Sequence, residues 1–570
     1  MSGEGGEKRR PRLEEPRVVC GQHQAKSPTQ TADAQRCRES GATRNTNTSA
    51  DEGSSPQSPE PAGGRLERAA VPILLFILIA GAAIRFINIG QQSLSVDEIS
   101  DLRIARAGII DILTFGDGFP PLYNLLLHFF VPFGDLAGRV FSALCGVATV
   151  GVAWAWARRV AGRRVGTYTA AIVALSPLAI YFSTEGRAYG LMVLLAAGSL
   201  WSLWIALDEP STLRWMRWGL ISALGVYTHY FFAIALVAWL VVLIIEMRGR
   251  VSREMWLGIA TLGALALPAL ALLPADMTVQ LGYEEAVGVG PSAVAYAGYR
   301  LIAGFSLPPT PREVLGLAFI DALKAAWVWI AVLAPVIGLL AWQGYRALQR
   351  IDRRRLLAMC ISGVILEGIA IQASGVGFAI RYLPWLLIPF SLWLAAGLAH
   401  LRPSWRWVSA TALLVVALSS VVNRNLHPHY QVEDTRAAGA YLTSSGVLDH
   451  PVLVLGPDIV RPIMYYMDRP RSLTLPEQWD SDIGRLGYYA VEGLPLIGIP
   501  IVGSGGSGLA DALDSVDAQT QPGEPYYLVY TRMAEYDRDG ELLSTLDARD
   551  ALVLVESYAG IDVYRGRGSA

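Results

Sequence analysis

Between about residue 70 and residue 423 the chain is a succession of apolar runs, each near the ~20 residues an α-helix needs to cross a hydrocarbon layer. No other feature restricts the fold as strongly. Backbone N–H and C=O groups in lipid must be satisfied within their own segment, so runs of this kind become helices. They fall at 70–89, 137–157, 165–183, 188–207, 214–228, 231–247, 255–274, 323–343, 356–375, 381–400 and 405–423, which gives about eleven spans. Residues 121–133 are too short to cross and read as a re-entrant or interfacial segment. The expected class is an α-helical polytopic membrane protein. Only 17% of residues are charged, against about 25% in soluble domains.

The flanks differ from this centre. Residues 1–68 are rich in Ser, Thr, Gly, Pro, Glu and Arg and lack apolar clusters, so they read as a disordered tail. Residues 69–423 form the membrane domain, and residues 424–570 read as a soluble α/β module. Its strands are expected at Pro451–Leu455, Leu496–Val502, Tyr526–Tyr530 and Leu552–Glu556, with helices at Arg436–Ser444 and Leu509–Val516. Cys20, Cys37, Cys145 and Cys360 form no CxxC pair, so neither a zinc knuckle nor a disulfide framework is indicated. Forty-seven basic residues balance 49 acidic ones, for a net charge of −2. Nucleic-acid binding driven by bulk charge is thereby excluded.

Arginine placement orients the spans. Alternate loops hold Arg158, Arg159, Arg163 and Arg164; Arg214 and Arg217; Arg248, Arg250 and Arg253; Arg346, Arg350 and Arg353 to Arg355; and Arg402 and Arg406. That side is expected to be cytosolic together with the N-terminus, which places the C-terminal module outside the cytoplasm.

The unusual polar residues then fall on the opposite face. The first outer loop holds Asp97 and Glu98. The third span ends at Tyr181-Phe182-Ser183-Thr184-Glu185-Gly186-Arg187-Ala188-Tyr189, the fifth at Tyr227-Thr228-His229-Tyr230, and the tenth begins at Arg381-Tyr382. Each group has an ordinary explanation. Ser95 and Glu98 have capping-box spacing, Glu185 and Arg187 an interfacial ion pair, Arg381 a snorkelling anchor, and His229 a packed histidine. Their joint arrival at one boundary argues for a site. Glu367 stands apart in mid-span, where a carboxylate costs at least ~2.5 kcal/mol on insertion scales; it lines a cavity or pairs with another helix. The GxGxxG pattern at 503–508 is set aside as a dinucleotide site, because the next strand ends in Thr531-Arg532 instead of an acid. His427-Pro428-His429 reads as a linker.

The Asp97-Glu98 pair after the first span, Phe119-Pro120-Pro121-Leu122-Tyr123, and Arg139 opening the next span resemble the GT-C fold lipid-dependent glycosyltransferases. The resemblance is to family 39, which holds the protein O-mannosyltransferases and the bacterial lipid A aminoarabinose transferases. Ser176-Pro177 followed by Tyr181 to Tyr189, and Tyr227 to Tyr230, extend it over roughly residues 70–400. Phe119 stands where the family usually has histidine, and Thr184 and Gly186 where it often has glutamine and alanine. The resemblance implies transfer of a sugar from a polyprenyl phosphate carrier to a lipid, glycan or protein acceptor, with Asp97 essential. The residue chemistry fits. A phosphate leaving group wants guanidinium partners such as Arg187 and Arg381, and an attacking hydroxyl or amine wants a carboxylate base. Glu98 is assigned beside Asp97, either orienting the acceptor or holding a divalent cation. Tyr123, Arg139, Glu185, Arg187, Tyr189, His229, Tyr230, Arg381 and Tyr382 are assigned to substrate binding. The rival classes are a transporter or flippase of a lipid-linked saccharide and an inactive membrane scaffold.

Overall fold

The computed structural model describes residues 62–114, 120–280, 290–310, 319–374, 380–467, 496–499, 507–532, 537 and 540–568. The tail at 1–61, Phe119 and residues 503–506 of the glycine pattern lie outside them. Helix α1 (Ala62–Phe86) leads into a loop built from the short helices α2 (Val96–Ala105), α3 (Ile109–Thr114) and α4 (Leu122–His128). The segment expected to be re-entrant is therefore α4 followed by a 3-10 turn at Val131–Leu136.

The next helix, α5 (Ala137–Leu175), is two antiparallel arms. Ala161 (φ −140°, ψ 18°) and Gly162 (φ 84°, ψ 169°) break it. The second arm folds back so closely that a Cβ on Gly166 would lie 3.0 Å from the Trp154 carbonyl. The arginines at 158–164 mark that turn, which is why two spans read from the sequence share one element. Ser176 accepts the Ala179 N–H and Pro177 occupies the first helical position, both favoured at a helix start. They open α6 (Pro177–Thr184). Then come α7 (Tyr189–Asp208), α8 (Thr212–Val226), α9 (Phe231–Glu246), α10 (Arg253–Gln280), α11 (Pro291–Ala303), α12 (Phe319–Ala347), α13 (Arg350–Ser374), α14 (Leu387–His400) and α15 (Pro403–Leu426). Two 3-10 turns, Ile380–Tyr382 and Pro384–Leu386, precede α14 where the sequence predicts helix from 381.

Among the described residues, six helices are long and apolar enough to cross a membrane. Leu267, Trp327 and Ile369 on these helices, and Phe76 and Ile79 on α1, are exposed, as a lipid-facing surface requires. At the arginine-rich face Arg159 meets Asp208 and Glu209 at 2.7 Å, Arg355 meets Glu246, and the Trp204 indole donates to Asp352. These contacts tie the hairpin turn and the α7–α8, α9–α10 and α12–α13 connections to one side, as alternate arginine-bearing loops must be.

Beyond α15, His427 accepts the His429 N–H in a single 3-10 turn. A small domain follows, with α16 (Thr435–Ser444), α17 (Pro457–Met467), α18 (Ser507–Gln519) and α19 (Glu541–Asp550) around a five-stranded sheet. Its order is β2 (Leu496–Ile499), β1 (Val452–Leu455), β3 (Pro525–Thr531), β5 (Ile561–Arg567), β4 (Val553–Tyr558). Strands β2, β1 and β3 are parallel, with Val452 opposite Leu496 and Tyr527. Strands β3, β5 and β4 are antiparallel.

Candidate functional site

The site forms where α2, the start of α5, the α6–α7 loop, the α8–α9 loop and the 3-10 turns before α14 meet. Helix α2 begins with a complete capping box. Ser95 Oγ accepts the Glu98 N–H (3.3 Å) and Glu98 Oε2 accepts the Ser95 N–H (2.9 Å). Glu98 is 3% exposed and also binds Arg139 through two bonds of 2.7 Å. Its Oε1 further accepts the Gly186 N–H at 2.7 Å. Arg139 spends its remaining donors on the carbonyls of Ile89, Gln92 and Ser93. The approach at Gly186 is close: a Cβ there would lie 3.1 Å from Glu98 Oε1 and 3.2 Å from the Arg139 backbone nitrogen. The pair thus locks the first loop to α5 and to the α6–α7 loop.

One residue earlier on α2, Asp97 points the other way and keeps 54% of its side chain exposed. Its carboxylate is 3.7 Å from Arg187, whose guanidinium is buried and makes a 2.7 Å pair with Asp101. Arg187 also donates to the Asp97 carbonyl, and its own carbonyl accepts from Ser142, which in turn meets the Tyr123 hydroxyl. Asp97 and Asp101 are four apart on one helix face. The sequence reading named the first and missed the second, although that spacing was visible.

Tyr189, His229 and Tyr382 complete the aromatic wall. Tyr189 and Tyr382 lie 6.2 and 5.9 Å from the His229 ring, and Tyr382 stacks on Phe231 at 4.6 Å. Arg381 lies beside Tyr382, 5.4 Å from its ring centre. Tyr230 stands one residue beyond His229 at the start of α9. Arg424, from the end of α15, bonds Thr184 and covers the Tyr181 ring at 5.4 Å. It too escaped the sequence reading, because an arginine after a long apolar run looks like an anchor.

Burial sets the protonation behaviour. Glu98 is pushed up by desolvation, but Arg139 and the N–H groups of Ser95 and Gly186 outweigh it and hold the carboxyl below the usual range. Burial raises Asp101 to about 6, opposed by Arg187 and reinforced by Asp97. Burial and the neighbouring Glu98 raise Glu185 to about 7. Its Oε2 is buried without a hydrogen-bond partner among the described residues. Burial lowers His229 to about 3, helped by Arg381 and Arg187, so its ring is neutral at physiological pH. Among the described residues no group of three or more His, Cys, Asp or Glu side chains is arranged to hold a metal ion. Glu98 and Asp101 have arginines where a cation would sit.

Below this polar layer lies an apolar cavity of about 120 Å³ between α5, α11, α14 and α15, lined by Ile172, Pro177, Leu301, Leu387, Leu394 and Leu413 among others.

The C-terminal domain closes over the first loop. Tyr466 Oη accepts the Leu94 N–H (2.8 Å), Ser93 Oγ donates to Asp434 (2.9 Å) and accepts the Arg436 N–H, and Arg461 donates to Ser100.

Over 87% of this chain and 98% of the other, the architecture superposes on ArnT from Cupriavidus metallidurans in the apo state, with a TM-score of 0.54 at 11% identity. The chain has the GT-C fold. ArnT bound to undecaprenyl phosphate matches the GT-C chain with a TM-score of 0.50 at 12% identity, covering 89% of it and 98% of that structure. Residues 119–272 match the family model described as dolichyl-phosphate-mannose-protein mannosyltransferase. That stretch holds Tyr123, Arg139, Glu185, Arg187 and His229 but not Asp97 or Arg381. No curated protein sequence matches the GT-C chain.

Proposed function

We propose that the protein is a membrane glycosyltransferase that moves a hexosyl or pentosyl unit from a polyprenyl phosphate carrier to a lipid, glycan or protein acceptor. The arginine-rich face and the N-terminus are cytosolic in this reading, and the site and the C-terminal domain face outward. Residues 69–423 are the catalytic membrane domain and 424–570 the outer module.

The observation that carries the reading is the contrast between two adjacent acids. Glu98 is fully engaged in structure, whereas Asp97 is exposed and held over a buried arginine. Asp97 takes the acceptor proton as the new glycosidic bond forms and the bond from the anomeric carbon to phosphate oxygen breaks. One displacement inverts the anomeric centre. Arg381 and Arg187 receive the departing phosphate, which needs charge neutralisation and no proton. Glu98 and Arg139 hold the loop in position. Tyr189, His229 and Tyr382 offer the sugar an aromatic, uncharged wall. The apolar cavity gives the carrier's tail a place: α6 separates Pro177 on its lining from Glu185 by about 12 Å at 1.5 Å per residue. Undecaprenyl phosphate in the ArnT structure of the same fold supports this class of donor.

The test uses purified protein in nanodiscs with radiolabelled undecaprenyl-phosphate sugars and an extract of cell-envelope acceptors. Label moving into the acceptor fraction supports transfer. Translocation across proteoliposomes without a new glycosidic bond would establish a transporter instead.

A further inference from the structure

Transfer as proposed leaves Glu367 without a task. It sits in mid-α13, is 0% exposed, and accepts the Trp385 indole N–H through Oε1 at 2.9 Å. Trp385 is also fully buried, and an indole is a donor only, so it must find an acceptor there. Its ring lies edge-on to Trp239 at 5.6 Å. The face of α13 is shaped for it. Gly363 lies one turn before Glu367, and a Cβ at 363 would stand 2.6 Å from the Trp385 ring. One position admits the ring and the next on the same face binds its nitrogen.

Trp385 belongs to the pair of 3-10 turns that carries Arg381 and Tyr382. Those turns are closed by the Leu383 N–H to Ile380 and the Leu386 N–H to Leu383, each 3.0 Å. Short 3-10 segments have poorer hydrogen-bond geometry than α-helix, so side-chain anchors decide where they sit. Tyr382 anchors one end on Phe231 and Trp385 the other on Glu367.

We propose that Glu367 is a positioning residue: by holding Trp385 it fixes the 380–386 turn that presents Arg381 to the carrier phosphate. This rests on the transferase reading for the role of Arg381 but not for the fixing of the turn. Two measurements separate them. Hydrogen exchange of the peptide covering 380–386 is expected to rise about tenfold in Glu367→Leu, the loss of one buried hydrogen bond, and to stay within ~2-fold of the parent in Glu367→Gln, whose amide oxygen can replace the acceptor. Where Glu367→Leu does not fold, Trp385→Phe reads the same bond. Affinity for undecaprenyl phosphate is expected to fall in Glu367→Leu and to be restored in Glu367→Gln. In an Arg381→Ala background Glu367→Leu should add nothing. Unchanged exchange overturns the proposal, and so does a further loss of affinity in that background. A parent protein that binds no undecaprenyl phosphate refutes the transferase reading instead, and the exchange result still decides whether Glu367 fixes the turn.

Discussion

Glu98 and Arg139, 41 positions apart in sequence, meet through two bonds of 2.7 Å in a site from which water is nearly excluded. The pair fastens the start of α2 to the start of α5, and the Gly186 N–H adds the α6–α7 loop to the same carboxylate. Removing one partner strands the other charge. Arg139→Ala is expected to cost about 3–5 kcal/mol, seen as a large fall in melting temperature of the detergent-solubilised protein. Arg139→Lys should recover little, since an ammonium cannot span both oxygens.

Asp97 is the opposite case. Exposed and outside the capping box, it contributes little to the fold, so Asp97→Asn should melt within ~0.5 kcal/mol of the parent. Sugar transfer should drop about 10²–10⁴-fold, the range for a lost general base. A variant that folds and transfers at the parental rate would remove Asp97 from the mechanism.

Glu185 gives the fold a pH dependence. Its folded value of about 7 lies above the unfolded 4.5, so the native state binds the proton more tightly. The stabilisation is complete below about 4.5 and is lost as pH rises through about 7. The melting temperature of the parent should therefore decline across that window, and Glu185→Gln should flatten the decline. An identical slope in the two proteins would contradict it.

The cavity between α5, α11, α14 and α15 is tested by filling it. Leu394→Trp should weaken binding of undecaprenyl phosphate about tenfold or more, while a short-chain isoprenyl phosphate, which does not reach that depth, binds as before. Overpacking of this kind costs ~1–3 kcal/mol, so thermal stability must be followed alongside. Equal weakening of both ligands would place the tail elsewhere.

Most of the helical plan was legible because apolar length is a strong signal, and the arginine pattern told which loops share a face. The hairpin at Ala161-Gly162 was legible as well, because the apolar runs 137–157 and 165–183 are parted by the arginines at 158–164; the break at Ser176, where α6 begins, was not. Helix α11 was not anticipated: Pro291–Ala303 is too short to read as a span. In the sheet, β5 was missed although Ile561 and Val563 alternate with Asp562 and Tyr564, a period-2 pattern obscured by its charges. The polar cluster emerged from topology, but which acid is engaged and which is exposed depends on atoms: Asp97 and Glu98 are neighbours in sequence and differ only in what the rest of the chain brings to them. Arg424 joined the cluster through tertiary contacts that no local pattern announces, whereas Asp101 lay in view, one helical turn after Asp97.

Tyr466 reaches back over 372 positions to hold Leu94, and Ser93 is held by residues of the same C-terminal domain. A ribosome emits that loop long before it emits the domain that clasps it. The contacts that hold the first loop therefore close only once synthesis has passed Tyr466, so this part of the molecule takes its final shape after the helices that follow it.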